Sequence, residues 1–275
     1  MGQFKKATKR GLISTDSQDF KLIDAMKNHV IAAAVLIFMG TTCAVFFVVA
    51  FVLWLLTVLF DKRLVLLHMF TSFWGHLYLW TVPFWSVTII GREKLRKDAT
   101  YMIVSNHQSQ LDILVAFGLF FPFKWISKAE IFRVPFVGWN MTLNQYIKLK
   151  RGDKESINRM MGECEKMFRK GCSLYFFPEG TRSKTGVVKP FKPGAFILAK
   201  KMRVPILMIA INGTKNALPK HSMGFHGSHD IRLEVLGEIP YEEFSDLSVE
   251  ALAETVRQRI GAHVDDHLKT VVSVE

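Results

Sequence analysis

A histidine and an aspartate five residues apart, His107 and Asp112, sit where an apolar run gives way to a polar turn. The stretch reads Ile103-Val104-Ser105-Asn106-His107-Gln108-Ser109-Gln110-Leu111-Asp112. On a continuous helix that spacing puts two side chains on different faces. Here His107 precedes a helix expected to begin near Ser109, so its ring can fold back over the first turn toward Asp112. A carboxylate that accepts a hydrogen bond from one ring nitrogen fixes the tautomer and leaves the other nitrogen as a base. It also stabilises the imidazolium once the proton has been taken. The plainer alternative is that Asn106 and Ser109 cap a helix and His107 is an ordinary turn residue.

A second constellation is Leu174-Tyr175-Phe176-Phe177-Pro178-Glu179-Gly180-Thr181-Arg182-Ser183. An apolar strand runs directly into a turn, and in open α/β sheets ligands bind at such strand ends. Gly180 lets backbone approach a ligand closely. Arg182 presents a planar fork suited to phosphate oxygens, and Thr181 adds a donor. Glu179 repels phosphate, so it is expected to position Arg182 or the turn, or to accept a substrate hydroxyl. The plainer alternative is a tight turn with a surface Glu–Arg pair. Lys184, Lys189, Lys192, Lys200, Lys201 and Arg203 follow and make the rim positive.

These residues need a frame. From residue 92 onward, short β-branched runs alternate with amphipathic stretches. Strands are expected at 101–105, 173–177, 206–211 and 231–236, and helices at 109–120, 156–169, 195–201 and 249–268. That alternation predicts a central sheet flanked by helices. The longest loops fall at 178–194 and 212–230. The second holds His221, His226, His229 and Asp230, whose spacing matches no zinc pattern, so no metal site is expected.

The first third of the chain is different in kind. Residues 1–27 are polar and basic, while 30–60 contain no charged residue or histidine. As a helix the latter would run about 46 Å, against about 30 Å of hydrocarbon core. Asp61-Lys62-Arg63 interrupts it, and an aromatic-rich apolar stretch, 64–91, follows. The expectation is a basic segment (1–27), a membrane-embedded helical hairpin (28–91) and an α/β domain (92–275). Lys and Arg flank the hairpin and are sparse within it, which puts both ends on the cytoplasmic side.

The chain has 275 residues, 49 % of them hydrophobic, and a formal net charge of +12. A basic surplus suits an anionic partner. The apolar segment and the absence of a nucleic-acid-binding motif favour a bilayer over nucleic acid. Cys43, Cys164 and Cys172 are odd in number and scattered, which does not suit a disulfide framework.

The blocks at 106–112 and 177–183, in this order, resemble those of the 1-acyl-sn-glycerol-3-phosphate acyltransferase family: N-H-x4-D and F-P-E-G-T-R-S. Between them Lys128, Pro135, Gly138 and Arg151 are similar to the family's middle block, and Val204-Pro205-Ile206 to its last. Gln145 stands where a glycine is common, and Lys150 where an acid often precedes the arginine. The resemblance covers about residues 91–240. It implies a glycerolipid-acyltransferase-like mixed sheet flanked by helices, preceded by an N-terminal membrane helical motif. It implies acylation of lysophosphatidic acid at its second position, with acyl-CoA or acyl-carrier protein as co-substrate and no cofactor.

In that reading His107 is the base and Asp112 orients it. Glu179, Gly180, Thr181 and Arg182, with Arg151 and Lys128, bind substrate, and backbone amides after His107 are candidates for the oxyanion. The domain would act at the cytoplasmic face of a membrane, the inner one if the source is bacterial. The alternatives are a same-fold enzyme with another acceptor (a lyso-ornithine lipid, another lysophospholipid or glycerol 3-phosphate) and a non-catalytic module that binds anionic lipid.

Overall fold

The structure is a computed structural model that describes residues 37–82, 84–218 and 228–266. Residues 1–27, His221 and His226 lie outside the described residues. Contacts divide the chain into two units, 1–48 and 49–275. The described part of the first unit is the N-terminal portion of helix α1 (Ile37–Thr57).

Helix α1 has 21 residues and a mean hydropathy of 2.3 in its most apolar window, of which 6 % is buried. It is the one helix among the described residues long and apolar enough to cross a membrane. Ile37, Val45, Val48, Leu55 and Leu56 are all exposed.

The apolar stretch 64–91 does not form a second helix of that kind. It divides into α2 (Val65–Trp80) and strand β1 (Trp85–Ile90). Helix α2 turns a polar and small face inward, with His68, Thr71, Ser72, Gly75 and His76 buried. Gly75 admits the ring of Phe117 where a Cβ would lie only 2.5 Å from it. Thr71 bonds to Asn140 and Asn144. A lipid-facing helix would leave such groups without partners. Helix α2 and β1 are therefore parts of the α/β body, which begins well before residue 92.

The sheet has seven strands in the order β1-β7-β6-β2-β5-β3-β4. They are β1, β2 (Met102–Ser105), β3 (Phe123–Lys128), β4 (Ile147–Leu149), β5 (Ser173–Phe176), β6 (Ile206–Asn212) and β7 (His229–Ile239). The five strands from β6 to β4 run parallel; β7 pairs antiparallel with β6, and β1 runs parallel to β7. His229 and Asp230 are strand residues of β7, paired with Trp85 and Ser86. Strands β3 and β4 lack a strong alternation and were not anticipated from the sequence.

Helices cover both faces, as buried parallel strands require. On one side Ile103, Tyr175, Leu207 and Ile209 pack with α3 (Leu111–Phe117). On the other, Met102, Val104, Leu174, Phe176 and Met208 pack with α5 (Lys154–Arg169), α6 (Gly194–Met202) and the closing helix (Val249–Gly261). Short helices α4 (Val137–Leu143), α7 (Thr214–Ala217) and α8 (Tyr241–Phe244) make the closing helix α9.

Candidate active site

Strands β2 and β5 are parallel neighbours, with Ile103 opposite Tyr175 and Val104 opposite Phe176. Their following turns leave the sheet at the same edge, and this brings His107 and the 177–183 loop together. Asn106 fixes the end of β2 by bonding both the amide and the carbonyl of Ile211 on β6, each at 2.8 Å. Helix α3 starts at Leu111, later than the sequence suggested. The extra turn before it gives His107 room to reach back.

His107 Nδ1 lies 2.7 Å from Asp112 Oδ2. The same oxygen accepts the backbone N–H of Gln108 at 2.6 Å and of Ser109 at 2.9 Å. Asp112 Oδ1 accepts the hydroxyl of Thr214 at 2.5 Å. Asp112 is fully buried. Asp112 already accepts three other hydrogen bonds and acts as an acceptor toward the ring as well, so Nδ1 carries the hydrogen and Nε2 presents a lone pair. Among the described residues nothing hydrogen-bonds to Nε2. The imidazole stacks on Phe177, with centroids 4.0 Å apart and planes 16° apart.

The amides of Gln108 and Ser109 were candidates for an oxyanion. Both are bonded to Asp112 instead, because a carboxylate in the first turn of α3 meets these free N–H groups before any ligand can.

Of the roles expected for Glu179, the structure shows the bracing of the turn and not a pair with Arg182. Glu179 is 4 % exposed. Oε1 accepts the N–H of His107 at 2.7 Å, and Oε2 accepts the N–H of Lys189 at 3.2 Å. Ser183 N–H donates to His107 O at 2.7 Å. The carboxyl thus ties the histidine turn to the glycine loop, with both oxygens occupied by backbone.

Burial pushes the Glu179 carboxyl up to about 7, against the two backbone hydrogen bonds. Its folded value stands above its unfolded value of 4.5. Between these values the folded chain keeps a proton that the unfolded chain has released. Stability from this group is therefore present below about pH 4.5 and lost as pH rises through about 7. The full effect is about 3 kcal/mol at most. Denaturation of the wild type and of Glu179→Gln should show a stability difference that shifts against the wild type between pH 5 and pH 8. A difference that does not change with pH would refute the assignment.

Gly180 sits at φ +71, and a Cβ there would come within 2.9 Å of Lys192 Nζ. Thr181 is exposed and Arg182 half-buried. Lys189, expected only as part of a positive rim, is a strut: its ammonium donates to Thr181 O, Thr181 Oγ1 and Arg182 O at 2.8 to 3.2 Å.

Lys128 ends β3, and Arg151 follows β4, so both lie at the same sheet edge as His107. They are two and three strands from β2, or about 10 and 14 Å. Both are exposed, and Lys128 pairs with Glu130 at 3.4 Å. Gly138 in the middle block is required by close approach, since a Cβ would lie 2.4 Å from the carbonyl oxygen of Phe132. Gln145 adopts φ 56, a left-handed conformation that favours glycine, which accounts for the glycine common at that position.

Thr214 was missed. It lies 102 residues from Asp112 in sequence, and only the adjacency of β6 to β2 brings it there. Among the described residues no group of three His, Cys, Asp or Glu side chains is placed to hold a metal ion.

Residues 86–212 match the family described as Acyltransferase. The chain is 40 % identical over 177 residues to the chloroplastic 1-acyl-sn-glycerol-3-phosphate acyltransferase BAT2 of Brassica napus, covering 64 % of this chain and 51 % of that one. It is 32 % identical over 190 residues to an uncharacterized acyltransferase of Schizosaccharomyces pombe, covering 66 % of this chain and 67 % of that one. The chain thus spans about half the length of the plant relative and two thirds of the yeast one. Among solved structures, the 1-acyl-sn-glycerophosphate acyltransferase PlsC of Thermotoga maritima superposes with a TM-score of 0.65 at 25 % identity, covering 82 % of this chain and 94 % of that one. Sequence blocks, fold and relatives agree: the chain belongs to the 1-acyl-sn-glycerol-3-phosphate acyltransferase family.

Proposed function

We propose that this protein transfers a fatty acyl group from acyl-CoA or acyl-carrier protein to the sn-2 hydroxyl of lysophosphatidic acid, making phosphatidic acid. The observation that carries the reading is the His107 ring, with Nδ1 held by Asp112 and Nε2 unengaged among the described residues. Nε2 takes the proton of the acceptor hydroxyl as its oxygen attacks the thioester carbonyl. The tetrahedral intermediate collapses, the C–S bond breaks, and the imidazolium returns the proton to the departing sulfur.

Transfer is direct. Three hydroxyls of the surrounding turns already have acceptors: Ser109 donates to Leu218 O, Ser183 to Val187 O and Thr214 to Asp112. None is bonded to His107 in the way an activated nucleophile would be. Arg182 holds the acceptor's phosphate, with Lys128 and Arg151 in support. Helix α1 anchors the chain in a bilayer, and the α/β body works at its cytoplasmic face.

The test is transfer from labelled oleoyl-CoA, and in parallel from an acyl-carrier protein, by the detergent-solubilised chain. Lysophosphatidic acid, glycerol 3-phosphate and a lyso-ornithine lipid compete as acceptors. Phosphatidic acid as the main product supports the reading. A different acylated product reassigns the acceptor, and none with any pair leaves a non-catalytic lipid-binding module. Arg182→Ala is expected to raise KM for lysophosphatidic acid about tenfold, the loss of one charge-assisted contact, with a smaller effect on kcat. An unchanged KM would remove Arg182 from the phosphate site.

A further inference from the structure

The edge of the sheet opposite the catalytic one carries a second group of basic residues. A depression there is lined by the residues that lead into β2, β3 and β5, with Arg63 from the turn before α2. Lys124, the second residue of β3, lies in it and is 2 % exposed. Its Nζ has no hydrogen-bond partner among the described residues. Burial pushes the ammonium down to about 8, partly offset by Cys172 and Asp61.

A buried ammonium without an acceptor is costly, and an apolar side chain of similar length would avoid that cost. The surroundings relieve it only in part. Arg63 and Lys97 also line the depression, and no carboxylate does. Asp61, whose charge Lys124 feels, accepts the N–H of Leu66 through Oδ2 and so caps the start of α2. His68 in the lining is held neutral by burial, with a value of about 3. Arg63 bonds Gly171 O at 3.1 Å through Nη1 alone, which leaves its other N–H groups for a ligand. The three cations Arg63, Lys97 and Lys124 share one depression whose lining holds no carboxylate, with Asp61 acting from outside it.

We propose that this depression binds a phosphate group, carried by the headgroup of an anionic membrane lipid or by free phosphate. Arg63 and Lys97 at the rim supply charge-assisted donors to several oxygens at once, and Lys124 beneath them adds positive charge. A lipid source is favoured by sequence position, since Arg63 follows the last residue of α1 by six residues. Basic residues next to an apolar span sit at headgroup level. The site is separate from the catalytic one, because the lengths of β2, β3 and β5 lie between them.

The full chain in zwitterionic detergent, with Arg182→Ala to weaken phosphate binding at the catalytic edge, is titrated with inorganic phosphate and with dihexanoyl phosphatidylglycerol. Dihexanoyl phosphatidylcholine serves as the zwitterionic control, and melting temperature is the readout. A saturable rise with an anion is expected, with a midpoint shifted at least tenfold by Arg63→Gln or Lys124→Met. Arg63→Gln is a surface change that should fold. Lys124→Met removes an unpaired buried charge and should melt no lower than its parent. A rise with the lipid alone assigns a headgroup site, and one with both or with phosphate alone assigns a phosphate site. No rise, a rise equal with phosphatidylcholine, or a midpoint unchanged in both variants overturns the proposal. None of these outcomes depends on acyl transfer.

Discussion

Replacing His107 by alanine is expected to lower kcat at least about 10³-fold, or about 4 kcal/mol of transition-state stabilisation. The fold should survive. The main-chain contacts of this residue, its N–H to Glu179 and its carbonyl to Ser183 N–H, do not depend on the ring. What is lost is the stack on Phe177 and the bond to Asp112. The stack is worth about 1 kcal/mol, so melting should fall by a few degrees at most. KM for the acceptor should change little, because the ring acts on the proton and Arg182 on the phosphate. Turnover above a few per cent of wild type, in a chain with a normal melting curve, would end the assignment of His107 as the base.

Asp112 gives the second large effect, and two substitutions separate its roles. Asp112→Asn keeps an acceptor for His107 Nδ1, and its amide can donate to the Thr214 hydroxyl oxygen. Its loss is the charge that stabilises the imidazolium and selects the tautomer. We expect kcat to fall about 10²- to 10⁴-fold with KM and melting temperature nearly unchanged. Asp112→Ala is expected to damage the fold as well. The N–H groups of Gln108 and Ser109 and the Thr214 hydroxyl would be left buried without an acceptor. At about 1 to 3 kcal/mol for each such group, the cost is about 3 kcal/mol or more. Wild-type turnover in Asp112→Asn would remove the carboxylate from catalysis. Equal melting temperatures for the two variants would remove it from the architecture of the turn.

The two large effects share a physical origin. The catalytic edge is built from turns whose free amides are satisfied by buried carboxylates, Asp112 under the histidine and Glu179 between the two loops. Glu179 bonds the backbone of His107, and Asp112 bonds its ring together with the two amides that follow it. Position is thereby set by several hydrogen bonds together, which is what a base needs to be held against its substrate. Lys189 adds a third brace, from ammonium to loop carbonyls.

The sequence by itself determined a good deal. The histidine, the aspartate and the Glu-Gly-Thr-Arg turn are local patterns at the ends of strongly apolar strands. Alternating strands and helices from residue 92 implied a sheet with helices on both faces, because periodicity is a local property of the chain. The long uncharged run likewise marked α1. What the tertiary structure decided was everything set by strand order. The order β6-β2-β5 put Thr214 beside Asp112 and Glu179 beneath His107, from 102 and 72 residues away in the chain. It also drew the stretch 64–91 into the α/β body. Hydropathy counts the apolar residues of α2 without registering that His68, Thr71, Ser72 and His76 share one inward face. Contacts between distant segments leave no periodic trace in a single chain, so the partners that fix a catalytic group appear only when the strands are placed side by side.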